Sequence, residues 1–593
     1  MTRILLISVS LLMVSLLSTA AVAADIAATD TIIVTATRNP VSVDDAIVPV
    51  HVITRADIEL SLASDLADLL RFEAGFDIAR QGGPGQATSL FLRGTESNHT
   101  LVLIDGVRIN PGTLGGAALQ NISPDTIQRV EIVKGARSAL YGTDAVGGVI
   151  NVITRRADSN YLEMGINAGS FNTRGANVSA GSNSAAGELG ITLDWRDTDG
   201  YAPRTDSDII RGYDNLSVNV YGARRFANNE LTLRHWRAGG TVEYLDFFLT
   251  PVDQDFLNSA TALELNTSVG ANGNSKAILS YMQDDIEQNQ SPDFVESNRT
   301  SLDWQYAHVL GKQTVTAGLY YMDENAKSLS FGSGFDENTR VNAVYLQDQV
   351  DLDRQRAFFA VRFTDHESFG NQVTWNAEYA FDINDAWTLG AGFGSAFRAP
   401  DATDRYGFGG NPELDPETAD SLNVSLRFLP AGPHRVELEY YRDDIKDLIE
   451  FDFASFSLMN IDEADIHGTE LSYEYRGESF SLRTELVSQV ADNVTSGARL
   501  LRRAEKSATL NYTQNFGQHR LGVSVIASGD REDIGGVELG SFIVVDLTGQ
   551  VKLSKHWQLN ARIENLFDEN YQTADGYRMQ ELSGYLELNY RLR

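Results

Sequence analysis

Cysteine is absent from all 593 residues. That removes disulfide frameworks, thiolate metal sites, iron–sulfur clusters and cysteine nucleophiles at once. Positive charge is scarce: 48 Lys and Arg stand against 81 Asp and Glu, a net charge of −33. A chain so acidic lacks the basic footprint that displaces phosphate counterions, so nucleic acid is excluded as a partner. Proline is rare, at 13 residues. Disorder is excluded in turn, because 42% hydrophobic and 9% aromatic residues are enough to bury a core. What remains in quantity is glycine (50), Phe (27) and Tyr (22), the composition of a β-rich chain with many tight turns.

Long apolar runs are also missing, with one exception. Met1-Thr2-Arg3 is followed by an apolar stretch from Ile4 to Leu17 and then by Ala21-Val22-Ala23. This is the three-part pattern of a secretory signal, with cleavage expected after Ala23. The stretch is shorter than the roughly 20 residues a membrane-spanning helix needs. A mature chain that lives in a membrane must therefore do so as a closed β-barrel.

Two regions differ in period. Residues 37–156 read as a compact α+β domain, with short strands at Val50–Ile53, Ser89–Leu92, Leu101–Ile104 and Val149–Ile153. One helix is expected, N-capped by Ser64, with Leu66, Leu69 and Leu70 on a face and Gly75 at its end. Glycine clusters at Gly82-Gly83-Pro84-Gly85 and Gly115-Gly116 punctuate it. From residue 157 to the end the period becomes two. Leu189, Ile191, Leu193 and Trp195 alternate with Gly190, Thr192 and Asp194. Leu586, Leu588, Tyr590 and Leu592 alternate with Glu587, Asn589 and Arg591. A soluble sandwich alternates in the same way, but it divides into domains of about 100 residues joined by linkers, and no Pro- or Ser-rich linker interrupts this region. With aromatics at many strand ends and about ten residues per strand, about 22 antiparallel strands fit the length. The fold class expected is an all-β membrane barrel with an N-terminal α+β plug in its lumen. The divisions are a signal peptide (1–23), a periplasmic tether (24–36), the plug (37–156) and the barrel (157–593).

The motifs agree with this organisation. Asp30-Thr31-Ile32-Ile33-Val34-Thr35-Ala36 lies between the signal cut and the plug; Leu103–Arg108 and Tyr141–Asn151 lie in the plug, and Ile563–Asp568 near the end. In this order the chain resembles the TonB-dependent outer-membrane receptors, with residues 30–36 similar to the TonB box. Tyr406–Glu417, Tyr441–Ile449 and Leu500–Ala504 resemble, more narrowly, the receptors for cobalamin. One departure is the C-terminus, Tyr590-Arg591-Leu592-Arg593, where the family usually ends in Phe. The alternation places Arg593 one residue beyond the lipid-facing phase.

The resemblance implies active import of cobalamin or a related corrinoid, with no enzymatic step. Its implied partners are the TonB–ExbB–ExbD complex and the lipids and lipopolysaccharide of the bacterial outer membrane, with the chain a monomer. An extended segment such as 30–36 can add as a strand to a partner's sheet edge. Cargo is expected on the apical loops, at Gln81, Gly82, Gly83, Gly85, Gln86, Asn110, Gly112, Thr113, Leu114 and Gly115, with Arg502 and Arg503 from the barrel. Arg93, Arg129 and Arg137 are candidates to pair with carboxylates of the barrel wall. Rival readings are a ferric siderophore or other metal-chelate receptor, an outer-membrane enzyme with scattered Ser, His and Asp, and a passive porin or adhesin. The nine histidines form no His-Glu-x-x-His helix, and no phosphate loop or Gly-x-Ser-x-Gly elbow occurs. Calcium is an expected cofactor. Asp199, Asp206, Asp208, Asp214, Asp246, Asp253 and Asp255 crowd two loops, and calcium accepts six to eight oxygen ligands in irregular geometry. A solvated acidic rim explains the same residues.

Overall fold

The computed structural model describes residues 33–34, 38–39, 41–73, 75–452, 454–461 and 463–592. The signal segment 1–23, most of the tether, Asp30, Thr31, Ile32, Thr35 and Ala36 of the TonB-box-like motif, and Arg593 lie outside the described residues.

Twenty-two antiparallel strands close into a barrel, from Tyr161–Gly169 to Ser583–Leu592. The last strand seals it by pairing with the first, from Leu162↔Leu592 to Gly169↔Tyr585. Alternation dictates which face each residue takes. Leu189, Ile191, Leu193 and Trp195 are 40–63% exposed on the outer wall, whereas Thr192 and Asp194 between them are 1% and 3% exposed. Apolar side chains outside and buried polar ones inside are the inverse of a soluble protein, as lipid requires. On the last strand Glu587 and Arg591 face inward, Arg591 reaching Glu59 of the plug at 2.8 Å, while Leu586 and Leu592 face out. No helix among the described residues is long and apolar enough to cross a membrane; strands do the crossing.

Strand length departs from the ten residues expected. Pro251–Val269 has 19 residues and Ser333–Leu352 has 20. The surplus lies beyond the lipid: Asp323–Arg340 (3.0 Å) and Lys327–Asp336 (3.6 Å) pair above the apolar stretch of their strands. Period-two patterning continues into this region, so the lipid boundary is marked by side-chain chemistry and not by strand ends.

The lumen holds the plug. Its sheet runs Val50–Ile53, Ile127–Lys134, Gly148–Thr154, Thr100–Ile104, Val107–Arg108, antiparallel except for the central Thr100–Ile104/Gly148–Thr154 pair. A hairpin, Phe76–Arg80 with Thr88–Leu92, stands beside it. The strand Ile127–Lys134 and the first strand of that hairpin were not expected, because their apolar residues lack a clean alternation. The helix was expected, but it spans only Leu66–Leu70, and its N-cap is Asp65, which accepts from the Asp68 amide at 2.8 Å. Ser64 precedes the cap, and Arg71 rather than Gly75 closes the helix. A second helix, Arg55–Ser61, is started by a reciprocal Thr54–Asp57 capping box. It buries only Ile58, so it carries almost no apolar stripe by which periodicity could reveal it.

Buried ion pairs seat the plug. Arg93 is 1% exposed and meets Glu439 at 2.6 Å and Glu470 at 2.7 Å, with its guanidinium 4.5 Å from the Tyr441 ring centre. Arg137 pairs with Glu378. Arg71 and Arg562 share Asp68, Asp546 and Glu564. Burial alone would raise the Asp68 carboxyl, but Arg562 and Arg71 outweigh it and hold the group below the usual carboxylate range. Arg129, expected to reach the wall, instead pairs with Glu131 of its own strand at 2.7 Å.

Candidate functional site

At the outer end of the plug lies a cavity of about 370 Å³. Residues from plug segments 85–89, 96–98 and 111–121 supply its floor, and Val242, Gln254, Phe256, Asn258, Asp284 and Ile286 its wall. Asn110 shapes the floor from beneath. Fully buried, it accepts from the Val102 amide (2.8 Å) and donates to the carbonyls of Thr100 (3.0 Å) and Gly115 (2.9 Å). These bonds bend the chain so that Leu114 is presented outward at 45% exposure. Gly112 is required by closeness, because a Cβ there would lie 2.5 Å from the Glu324 carboxyl, which accepts from the Gly112 amide at 2.9 Å.

The structure brings some of the expected residues to this cavity and uses others elsewhere. Gly85 and Leu114 line it. Gly82 and Gly83 lie beneath Pro203 and Tyr201 of a barrel loop, and the Tyr201 hydroxyl donates to the Gly82 carbonyl at 3.2 Å. Gln81 closes the glycine loop by donating its amide to the Ala87 carbonyl at 3.0 Å. Gln86 is buried and donates to the Glu243 carbonyl. Thr113 is buried and its carbonyl accepts from the Thr403 amide, while Gly115 donates its amide to the Pro111 carbonyl. Arg502 is held by Asp533 at 2.8 Å. Arg503 lies on the Phe91 ring at 4.2 Å and donates to the Gly94 carbonyl and to Glu96. Both arginines tie protein to protein.

Residues that motif reading missed are more telling. Among the described residues, Asn98 Oδ1 and Gln120 Oε1 are buried with no hydrogen-bond partner, and both side chains line the cavity. With Asn121, Gln254 and Asn258 these side chains give the cavity an amide-rich lining, which suits a ligand that brings N–H or O–H donors. No Arg or Lys is among the lining residues, while Glu96 and Asp284 are. Isolated amide residues in loops carry no periodicity and no motif, so nothing in the sequence marked them.

An extracellular loop, 399–416, rests on the plug at Gly112 and Thr113. Its helix Ala402–Tyr406 rests on the plug through two backbone bonds, Ala402 amide to Gly112 carbonyl (2.9 Å) and Thr403 amide to Thr113 carbonyl (3.2 Å). Glu417 bridges His99 of the plug (2.6 Å) and Arg398 (3.2 Å). Burial and the neighbouring Asp404 carboxylate push the Asp401 carboxyl well above its ordinary range, against the pull of Arg398.

The acidic loop residues are dispersed among local partners. Asp206 pairs with Arg204 (3.3 Å), Asp208 with Arg578 (3.5 Å), and Asp199 accepts from Asn172 (3.2 Å). Asp246 accepts from the amides of Phe248 and Thr250 in its own turn. Asp253 accepts from Asn289 and Gln290, Asp255 from Thr241, and Asp214 is half-buried in Arg211–Phe226. Among the described residues no three acidic or histidine side chains gather into a metal-ligand cluster.

The inner end is built differently. Ile33–Val34 pairs antiparallel with Val41–Ser42. Four residues after Val34, Arg38 donates to the Leu140 carbonyl (2.6 Å), Asp303 (2.7 Å) and the Tyr345 hydroxyl (2.9 Å). Arg38 and Asp303 also line a cavity of about 970 Å³ between plug and wall, which reaches the inner turns at Lys312 and Asp353.

Comparison with known proteins matches this architecture. The family model "TonB dependent receptor-like, beta-barrel" matches residues 160–566, and "TonB-dependent Receptor Plug Domain" matches 42–149. The chain is 29% identical over 582 residues to a vitamin B12 transporter BtuB of Vibrio vulnificus, covering 93% of each chain. It is 29% identical over 605 residues to the protein of that name from Photobacterium profundum, covering 96% of each. Among solved structures, the FrpB iron transporter of Neisseria meningitidis superposes with a TM-score of 0.80 at 15% identity, covering 92% of this chain and 99% of that one. The copper transporter OprC gives 0.79 at 16%, covering 92% and 98%. A mutant ferric enterobactin receptor of Pseudomonas aeruginosa in complex with enterobactin gives 0.80 at 16%, covering 92% and 99%. The chain belongs to the TonB-dependent receptors, transport proteins of the bacterial outer membrane.

Proposed function

From membership of that family, we propose that this receptor imports cobalamin, or a closely related corrinoid, and that segment 30–36 is the strand through which the TonB complex delivers energy. The outer membrane holds no ATP and no ion gradient of its own, so accumulation requires such a contact. Outer-membrane lipid and lipopolysaccharide surround the apolar outer wall.

The observation that carries the cargo assignment is the chemistry of the outer cavity. Its amide-bearing lining, Asn98, Gln120, Asn121, Gln254 and Asn258, suits the primary amides that fringe a corrinoid. The full-length similarity to two vitamin B12 transporters points the same way. A ferric siderophore is the second reading, favoured by the names of the structural neighbours. Ferric siderophores with a net negative charge are disfavoured by a lining that includes Glu96 and Asp284 but no Arg or Lys. The test is equilibrium binding of cyanocobalamin and of ferric enterobactin to the purified receptor. Saturable binding of cyanocobalamin alone supports the proposal, and binding of ferric enterobactin alone replaces it.

A further inference from the structure

Cations are scarce in this chain, 48 against 81 acidic residues, and the inner cavity of about 970 Å³ collects them. Arg38, Arg108, Arg156, Arg234, Lys276 and Arg299 line its interior. The carboxylates that line the same interior are Asp105, Glu264 and Asp303. Glu230, Asp351 and Asp353 belong to the inner rim, where Glu230 meets Arg225 at 2.8 Å and Asp353 meets Lys312. The outer cavity is the reverse, with Glu96 and Asp284 in its lining and neither Arg nor Lys. An acidic protein thus encloses one positive chamber. A cleft lined by one sign of charge, with low-dielectric walls, concentrates ions of the other sign.

Pairing within the chamber is uneven. Arg38 meets Asp303 at 2.7 Å, Arg234 meets Glu264 at 2.8 Å, Arg299 meets Glu324 at 2.7 Å, and Arg108 pairs with Asp144. Asp105 is taken up by the amide and hydroxyl of Thr154. The side chains of Lys276 and Arg156 form no ion pair or hydrogen bond with a described residue. The Arg156 guanidinium lies 5.4 Å from the Tyr221 ring centre, a contact that leaves its N–H groups free to donate. Lys276 stands near the inner end of strand Gly273–Gln288. Its neighbours across the sheet are Asn266 and Gln305, and both line the chamber with Asn274. One short plug segment parts this chamber from the outer cavity, since Arg108 lines the inner and Pro111 the outer. Arg299 of the wall fastens that segment by donating to the Asn110 carbonyl at 2.7 Å.

We infer that the inner chamber is a second binding site, one that recognises a phosphodiester: Lys276 and Arg156 hold the anion, and Asn266, Asn274 and Gln305 meet neighbouring amides. The inference rests on the cobalamin reading, because a corrinoid with its nucleotide loop carries one phosphodiester beside its amide fringe. The two cavities then divide the cargo's chemistry. The outer one suits the amides and, through Glu96 and Asp284, gives the phosphate nothing to hold; the inner one offers charge-assisted hydrogen bonds to it. Free phosphate shares that chemistry, and a comparison of cargoes with and without the phosphodiester separates the two.

The experiment compares uptake of labelled cyanocobalamin with uptake of labelled dicyanocobinamide, a corrinoid without the phosphodiester. Energised cells carry wild type, Lys276→Gln/Arg156→Gln or Lys276→Arg, and surface binding is measured beside uptake. The two cations hold no described partner, so the substitutions leave the ion pairs of the plug in place; unheated electrophoretic mobility checks the fold. The double variant is expected to accumulate cyanocobalamin on the order of tenfold more slowly. Its uptake of dicyanocobinamide should change by less than about twofold, its surface binding of either cargo should equal that of wild type, and Lys276→Arg should keep the wild-type rates. Equal slowing of both cargoes, as a structural or free-phosphate role would give, overturns the inner site, and so does no slowing of either; both leave the cargo assignment standing. Failure of the wild type itself to bind cyanocobalamin removes the cargo assignment, and the inner site falls with it.

Discussion

The outer end of the plug and its sides differ in the polar groups they carry, uncharged amides at one and ion pairs at the other. Around the outer cavity, Asn98, Gln120, Asn121, Gln254 and Asn258 line the site with amides, and no Arg or Lys joins them. Along the sides, Arg93, Arg137 and Arg562 each meet at least one buried carboxylate. Paired charges fix a body in place. The plug is thus held along its sides by ion pairs, while its outer end presents uncharged polar groups to the proposed cargo.

Removing a cation from the sides should give the largest effect on stability. Arg93→Ala strips Glu439 of its cation and leaves Glu470 only Lys134. Breaking a buried pair from one side costs about 3–5 kcal/mol. The expected result is a plug that loosens at lower urea and a cell more permeable to large antibiotics, with cyanocobalamin affinity reduced only through that loosening. Unchanged plug stability would show that the ion pairs are solvated and do not seat it.

The outer end should respond more gently and only in binding. Asn98→Ala with Gln120→Ala removes two acceptors worth about 0.5–1.5 kcal/mol each when satisfied by ligand. Cyanocobalamin should bind on the order of tenfold more weakly, with no fall in urea resistance. An affinity equal to wild type would move the cargo away from this cavity.

How much of this contrast could be read from the chain depends on periodicity. The barrel was legible because Leu189 to Trp195 and Leu586 to Leu592 alternate over whole strands, and the expected strand number and lipid-facing phase agree with the closed barrel. Of the plug, Val50–Ile53 and the leucine face of Leu66–Leu70 were legible. Helix Arg55–Ser61 was not, since Ile58 is its only buried residue. The wall contacts of Arg93 and Arg137 were anticipated as a residue type facing carboxylates; Arg129 differs because Glu131, two residues on, lies on the same face of its strand. The outer cavity was legible as loops only. Asn110 was expected at the cargo but holds the floor, and Asn98 and Gln120 depend on which atoms the fold leaves over, which no local pattern records.

The barrel wall offers a smaller test of the same inside–outside logic. Leu588→Asp on the lipid-facing phase should lower folding yield in liposomes by an amount equivalent to about 1–2 kcal/mol, while Glu587→Gln on the lumen phase should not. Equal yields would place the strand one residue out of phase. The smallest expected effect belongs to the acidic loops. Calcium at Asp206 or Asp246 has to displace Arg204 or the turn amides they now engage. If it does, cyanocobalamin binds more tightly in calcium than in chelator, and Asp206→Asn with Asp246→Asn abolishes the difference. The same affinity in all conditions leaves these residues as a solvated rim.

In the proposed mechanism, cargo binds at one end of the plug while energy enters at the other. Val34→Pro separates the two ends, because proline removes a backbone donor from the segment proposed to pair with TonB, far from the outer cavity. Uptake of labelled cyanocobalamin by energised cells expressing wild type or Val34→Pro, measured beside surface binding on the same cells, tests this directly. Equal surface binding is expected, with accumulation in the variant lost to the level of cells lacking TonB. Accumulation by Val34→Pro at the wild-type rate would contradict it.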